Sequence, residues 1–244
     1  MGDQAFTDAM RLRLLIPTLQ PLREDGHLYC SCQVHEVDIV HHPTHCLDCP
    51  RNQNTFKFRH DVICELLKNV IKANWLDAQV EREHPIGFVT GRGGFTADLH
   101  VEYGRERFAI DVSVTDPACA SNLRYDADSK YGAGGAARAD HKRRHYGPLQ
   151  NVCVDHRVLD DDFQCPAGQI RLIPFVFEAT GRPDVMVMKF LKLLDPENND
   201  RRFIGRFLTS VSSCIAMYNS SMIRGLRQRV QFSQWTLHPD PSEV

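Results

Sequence analysis

The 244-residue chain has no run of eighteen apolar residues, which argues against a membrane-spanning helix. Its opening residues, Met1, Gly2, Asp3 and Gln4, lack the charged start and apolar stretch of a secretory signal, so an intracellular protein with no membrane partner is expected. No internal repeat and no low-complexity segment occurs, which sets aside solenoids and compositionally disordered chains. Residues 201–235 contain no acid, yet they hold Arg201, Arg202, Arg206, Arg224, Arg227 and Arg229. The net charge of -2 therefore hides a stretch suited to polyanions. With 42% hydrophobic residues the chain can bury one sizeable α/β domain plus a small appendage.

Cysteine is abundant and unevenly spread. Four of the nine crowd into residues 30–49 among histidines, a pattern suited to a metal cluster in a reducing compartment and not to a disulfide framework. Two close pairs of soft ligands joined by a loop are how small zinc modules are built. Cys30, Cys32, His45 and Cys49 form one tetrahedral set; Cys46 can replace His45, and His41 or His42 can pair with Cys46. No open coordination position is evident, so a structural zinc is expected.

The rest of the chain alternates between helical and extended patterns. Residues 5–16 suit a short helix capped by Thr7 or Asp8 and stopped by Pro17. Phe58, Val62, Ile63, Leu66, Leu67, Val70, Ile71 and Trp75 recur at helical steps and predict an amphipathic helix over 56–75. Residues 78–84 suit a strand with Glu81 and Glu83 on one face and Val80 and Arg82 on the other. A basic helix is expected over 136–146, ended by Gly147 and Pro148, and residues 149–168 read as loop with one short strand. Residues 170–178 read as an interior strand in which Pro174 marks a bulge or a nearby edge. Helices are expected over 184–194 and, as one or two pieces, over 201–232, followed by a loose tail. The order of parts predicts a mixed sheet flanked by helices. The expected domains are a lead-in and zinc module over 1–52, an α/β domain over 53–235 and the tail over 236–244.

Residues 94–114 carry the chemistry. They read as two strands joined at residues 103–105, with Asp98 near the start of the first and Asp111 late in the second. A hairpin brings these carboxylates side by side, the spacing with which metal-dependent nucleases hold Mg2+. Asp111 lies inside an apolar run over 108–114, and a carboxylate there needs a cation or hydrogen-bond donors.

The ordered set resembles the restriction-like endonuclease domain, of PD-(D/E)XK type, of non-LTR retrotransposons. A Cys/His module comes first, then Arg59 and His60 opening a helix, then Asp98, the segment 108–117, a helix with Lys142 and Tyr146, and residues 174–181 with Glu178. Two departures stand out: Ala97 precedes Asp98 where the family has proline, and Ser113 occupies the usual lysine position. The resemblance implies a restriction-endonuclease-like fold and Mg2+- or Mn2+-dependent nicking of DNA. Asp98 and Asp111 would be the metal ligands, Glu83 (or Glu81) a third acid, Lys142 the replacement lysine and Tyr146 a phosphate-ordering group. Arg138, Arg143 and Arg144 would contact nucleic acid. The resemblance also implies a nuclear location, with RNA or a reverse transcriptase of the same polyprotein as further partners. The rival expectation is a binding module of the same fold that no longer cuts.

Overall fold

The computed structural model describes residues 7–8, 10–11, 29–30, 32, 37–39, 42, 44–125, 130, 132–195 and 202–237. Two compact units divide the chain. One comprises Met1–Arg59 with Cys214–Val244, the other His60–Ser213. The division falls inside the first long helix, and the end of the last helix groups with the N-terminal residues.

The larger unit is built on a five-stranded mixed sheet in the order β3-β4-β5-β7-β6. The strands are β3 (Gln79–Val89), β4 (Gly93–Tyr103), β5 (Glu106–Thr115), β6 (Val152–Cys153) and β7 (Ile170–Glu178). β3, β4 and β5 form an antiparallel meander, and Gly104, with φ of 60°, makes the tight β4–β5 turn. β7 then joins β5 in parallel, Asp111 opposite Pro174. Pro174 is tolerated because the strand on its other side, β6, pairs only as far as Arg171. Every residue of β7 except Arg171 is buried, as its two-sided apolar pattern requires.

Helices cover both faces. Ile63, Leu67 and Ile71 of α1 (Gln53–Asn74) are fully buried, whereas Phe58 and Val62 are exposed, so the core stripe is narrower than the apolar pattern implied. Trp75, just beyond α1, stacks on Tyr103 at 4.5 Å and meets Phe108 and Phe190. Phe190 lies on α4 (Val185–Leu194), whose first turn is capped by the Asp184 carboxylate accepting the Met186 N–H. A second cluster joins Ile86, Phe95, Ala97, Ala109 and Leu172 to Tyr146 of α3 (Ala133–Tyr146). A four-residue turn, α2 (Ala120–Leu123), precedes α3. The last helix, α5 (Phe203–Leu237), is continuous.

In the smaller unit, β1 (Tyr29–Cys30) pairs antiparallel with β2 (Val37–Asp38). Residues 7, 8, 10 and 11 are helical, and buried Asp8 takes both terminal nitrogens of Arg227 at 2.6 and 2.8 Å. That pairing removes one arginine from the acid-free stretch as an anion contact. Among the described residues no helix is long and apolar enough to cross a membrane.

Candidate active site and metal centres

The β4–β5 register, carried one residue past Leu99↔Ile110, sets Asp98 opposite Asp111. The two carboxyls are close enough to shift one another's titration, and their environments pull them apart. Burial weighs against ionising Asp98, but the hydrogen bond from the His60 ring and its charge hold this carboxyl below the usual range; the Val112 N–H adds a 2.7 Å bond to Oδ2. Burial raises Asp111 above the usual range, the neighbouring Asp98 charge adds to this, and Lys142 opposes it. Two adjacent carboxyls thus titrate unequally, as neighbouring acids in different surroundings do.

Lys142 reaches this pair from α3. Gly135, Ala139, Lys142 and Tyr146 recur at steps of four, three and four, forming one stripe of the helix. The small residues at its start allow close approach. A β-carbon at Gly134 would lie 3.1 Å from the Pro117 Cα and 3.3 Å from Glu178 Oε1, and the buried Glu178 accepts the Gly135 N–H at 3.2 Å. Glu178 therefore anchors the helix start. Farther along, Lys142 Nζ donates to Asp111 Oδ1 at 2.5 Å and the Tyr146 hydroxyl donates to the Thr96 carbonyl at 2.8 Å. Burial, then the Asp111 charge, raises the Tyr146 phenol far above its ordinary value, so it is a neutral donor at any working pH.

His60 enters from α1, its Nε2 3.1 Å from Asp98 Oδ2. The Asp98 hydrogen bond, then that to Cys64, raises the imidazole to about 10. Cys64 is one helical turn on, and His60, Cys64 and Asp98 all bring ligand atoms within 4.8 Å of one another. The i, i+4 spacing of His60 and Cys64 sets both on one helix face and is the sequence signal for Cys64 beside the site.

Glu83, the third acid expected from β3, makes no hydrogen bond to these carboxylates among the described residues. It is exposed and has a left-handed backbone with φ of 51°, which breaks the alternation that would have aimed it with Glu81. Glu81, the alternative, is bonded to His84. Ser113, where the generic nuclease has lysine, is buried with an Oγ that finds no partner among the described residues. Strand alternation gives it the same side as Asp111. Of the expected nucleic-acid contacts, Arg144 is exposed, Arg138 half-buried, and Arg143 paired to Asp140 at 2.6 Å.

The cysteine cluster converges. Cys30, Cys32, His45 and Cys49 are all buried with ligand atoms within 4.8 Å of one another, and Cys46 is not part of the set. Cys30 and Cys49 sulfurs are 3.9 Å apart, close to the ~3.8 Å of two thiolates on one tetrahedral zinc. Cys32 Sγ is 3.3 Å from His45 Nε2. The other ring nitrogen of His45 faces Asp48 at 3.4 Å, the outer-shell carboxylate that commonly orients a ligating histidine. Arg229 sets a nitrogen 3.9 Å from Cys49 Sγ, a cation beside the excess negative charge three thiolates would bring to a divalent ion. Burial and then the neighbouring Cys49 push the Cys30 thiol up to about 12, and burial also raises Cys32. Such thiols stay protonated until a metal displaces the proton. The cluster can hold a metal such as zinc.

No protein-family model matches the chain, and no curated protein matches it either. The chemistry of these sites rests on their geometry.

Proposed function

We propose that the chain is a metal-dependent endonuclease that nicks DNA by phosphodiester hydrolysis, on a restriction-endonuclease-like fold related to the retrotransposon domain, with a structural zinc on Cys30, Cys32, His45 and Cys49. One observation carries this reading: Asp98 and Asp111 meet on adjacent strands with Lys142 arriving from a separate helix. Antiparallel strands followed by a helical crossover to a parallel strand support the fold. A bound Mg2+ or Mn2+ would supply an activated water and neutralise charge on the phosphate. The chain's own residues do the rest. His60 keeps Asp98 ionised at neutral pH, Lys142 offers an ammonium to a phosphate oxygen, and Tyr146 fixes Thr96 and hence the start of β4. Arg138 and Arg144 on the same helix suit backbone phosphates. A nuclear location and a reverse transcriptase or RNA partner follow from the same relationship.

A second reading, a binding module that no longer cuts, is favoured by the internal cation already on each carboxylate: Lys142 on Asp111 and His60 on Asp98. Supercoiled plasmid incubated with protein and Mg2+ or Mn2+ separates the two. Nicking is expected, falling by about a hundredfold or more in Asp111→Ala, the scale of losing a group that stabilises the transition state. Nicking that survives Asp111→Ala removes the site assignment. DNA binding without nicking by the wild-type protein selects the binding module.

A further inference from the structure

Regular alternation along a strand sends residues 81 and 84 to opposite faces, because an odd separation reverses the side chain. In β3 they meet. His84 Nδ1 lies 2.6 Å from Glu81 Oε2, and the His84 ring stacks on His100 of β4 with centroids 4.4 Å apart and planes within 16° of parallel. The backbone supplies the reason. Glu83, between them, is the non-glycine residue with a left-handed φ among those described. The pairs Arg82↔Leu99 and His84↔Ala97 keep one register on either side of it, so the strand is turned over with no residue inserted. His100 sits directly opposite Glu81 in that register. A strained conformation at a residue with a β-carbon is costly, and here its effect is to bring two imidazoles and a carboxylate to one spot.

We propose that Glu81, His84 and His100 form a site for a divalent transition-metal ion of the zinc class, separate from the cysteine cluster and from the Asp98–Asp111 pair. Their ligand atoms lie within 4.8 Å of one another. Donors on a tetrahedral zinc stand about 3.4 Å apart, a gap that small rotations of the more exposed Glu81 and His84 close. His100 is buried and acts as the fixed ligand, whereas Glu81 opens to solvent and gives the ion its way in. Two histidines and one carboxylate suit zinc, cobalt or iron over magnesium, which prefers oxygen. The ion would bridge β3 to β4 next to Asp98, whose position is opposite Glu83 in the same register, and so brace that carboxylate.

The test uses the full chain, zinc-loaded at the cysteine cluster and then titrated with Co2+. One strongly absorbing, nitrogen-ligated cobalt is expected, with visible d–d absorption but no thiolate-to-cobalt charge-transfer band; Co2+ taking the proposed Mg2+ position at Asp98 and Asp111 is oxygen-ligated and absorbs only weakly. The strongly absorbing site should disappear in His84→Ala and weaken at least tenfold in Glu81→Gln and His100→Gln. Glu83→Gly, whose backbone accepts the left-handed φ, and Asp111→Ala should keep it. Far-UV circular dichroism checks that each variant folds, and half-exposed His84 is the substitution least able to disturb the core. No such band in the wild-type protein, or a band that persists in His84→Ala or vanishes in Asp111→Ala, overturns the proposal. The readout involves no DNA cleavage, so its outcome is independent of the nuclease reading.

Discussion

At the scale of single residues, His60 and Lys142 hold the two carboxylates in different states, and each makes a prediction. The folded His60 ring titrates near 10 against 6.5 when unfolded, so it binds its proton more tightly in the native protein. A raised value means stabilisation fully present below pH 6.5 and lost as the pH climbs through about 10. Asp98, held below the usual range, keeps its own share only above about pH 4. Urea unfolding of wild type and His60→Gln should therefore differ most between pH 4 and 6.5, with the difference shrinking toward pH 10; a constant difference would break the link. Lys142→Ala leaves Asp111, only 5% exposed, without its cation. A loss of about 3 kcal/mol is expected at pH 8, the scale of breaking a buried pair. Acid should relieve it. The carboxyl is already raised, losing the ammonium raises it further, and protonation removes the unpaired charge, so unfolding at pH 5 should show a smaller deficit.

At the scale of elements, α3 matters more than its sequence suggested. Its apolar content is slight, and it reads as a basic surface helix. What it has instead is Gly134, Gly135 and Ala139, whose small size lets it lie against β7 and Pro117. Gly134→Val should push the helix start off by collision with backbone, costing about 1–3 kcal/mol in thermal unfolding. It should also reduce nicking more than stability alone accounts for, because Lys142 moves with the helix. Gly134→Ala should show the same effects more weakly. β3 makes the complementary point. Its extended pattern was legible, yet the single left-handed residue Glu83 redirected its acids, because alternation holds only while φ stays in the β region.

At the scale of the whole molecule, two compact units carry different supports. The larger has the aromatic cluster of Trp75, Phe108, Phe175 and Phe190, and the smaller has the cysteine cluster and the Asp8–Arg227 pair. A strong zinc chelator should lower the unfolding temperature of a separate first transition in calorimetry and leave the second, and Cys49→Ser should do the same while reducing bound zinc. A single transition that ignores chelator would remove the cluster's structural role. Sequence alone determined the helices with strong periodicity, the hairpin that pairs Asp98 with Asp111, and the region of the four metal ligands, because each depends on local spacing or on one turn. Tertiary structure decided what local spacing cannot encode. It selected His45 over Cys46, brought Cys64 and His60 to Asp98, closed Lys142 on Asp111 across thirty-one positions, and gathered Glu81, His84 and His100 on one face. These depend on how separate helices and strands approach and on one strained φ, which packing of the finished fold imposes.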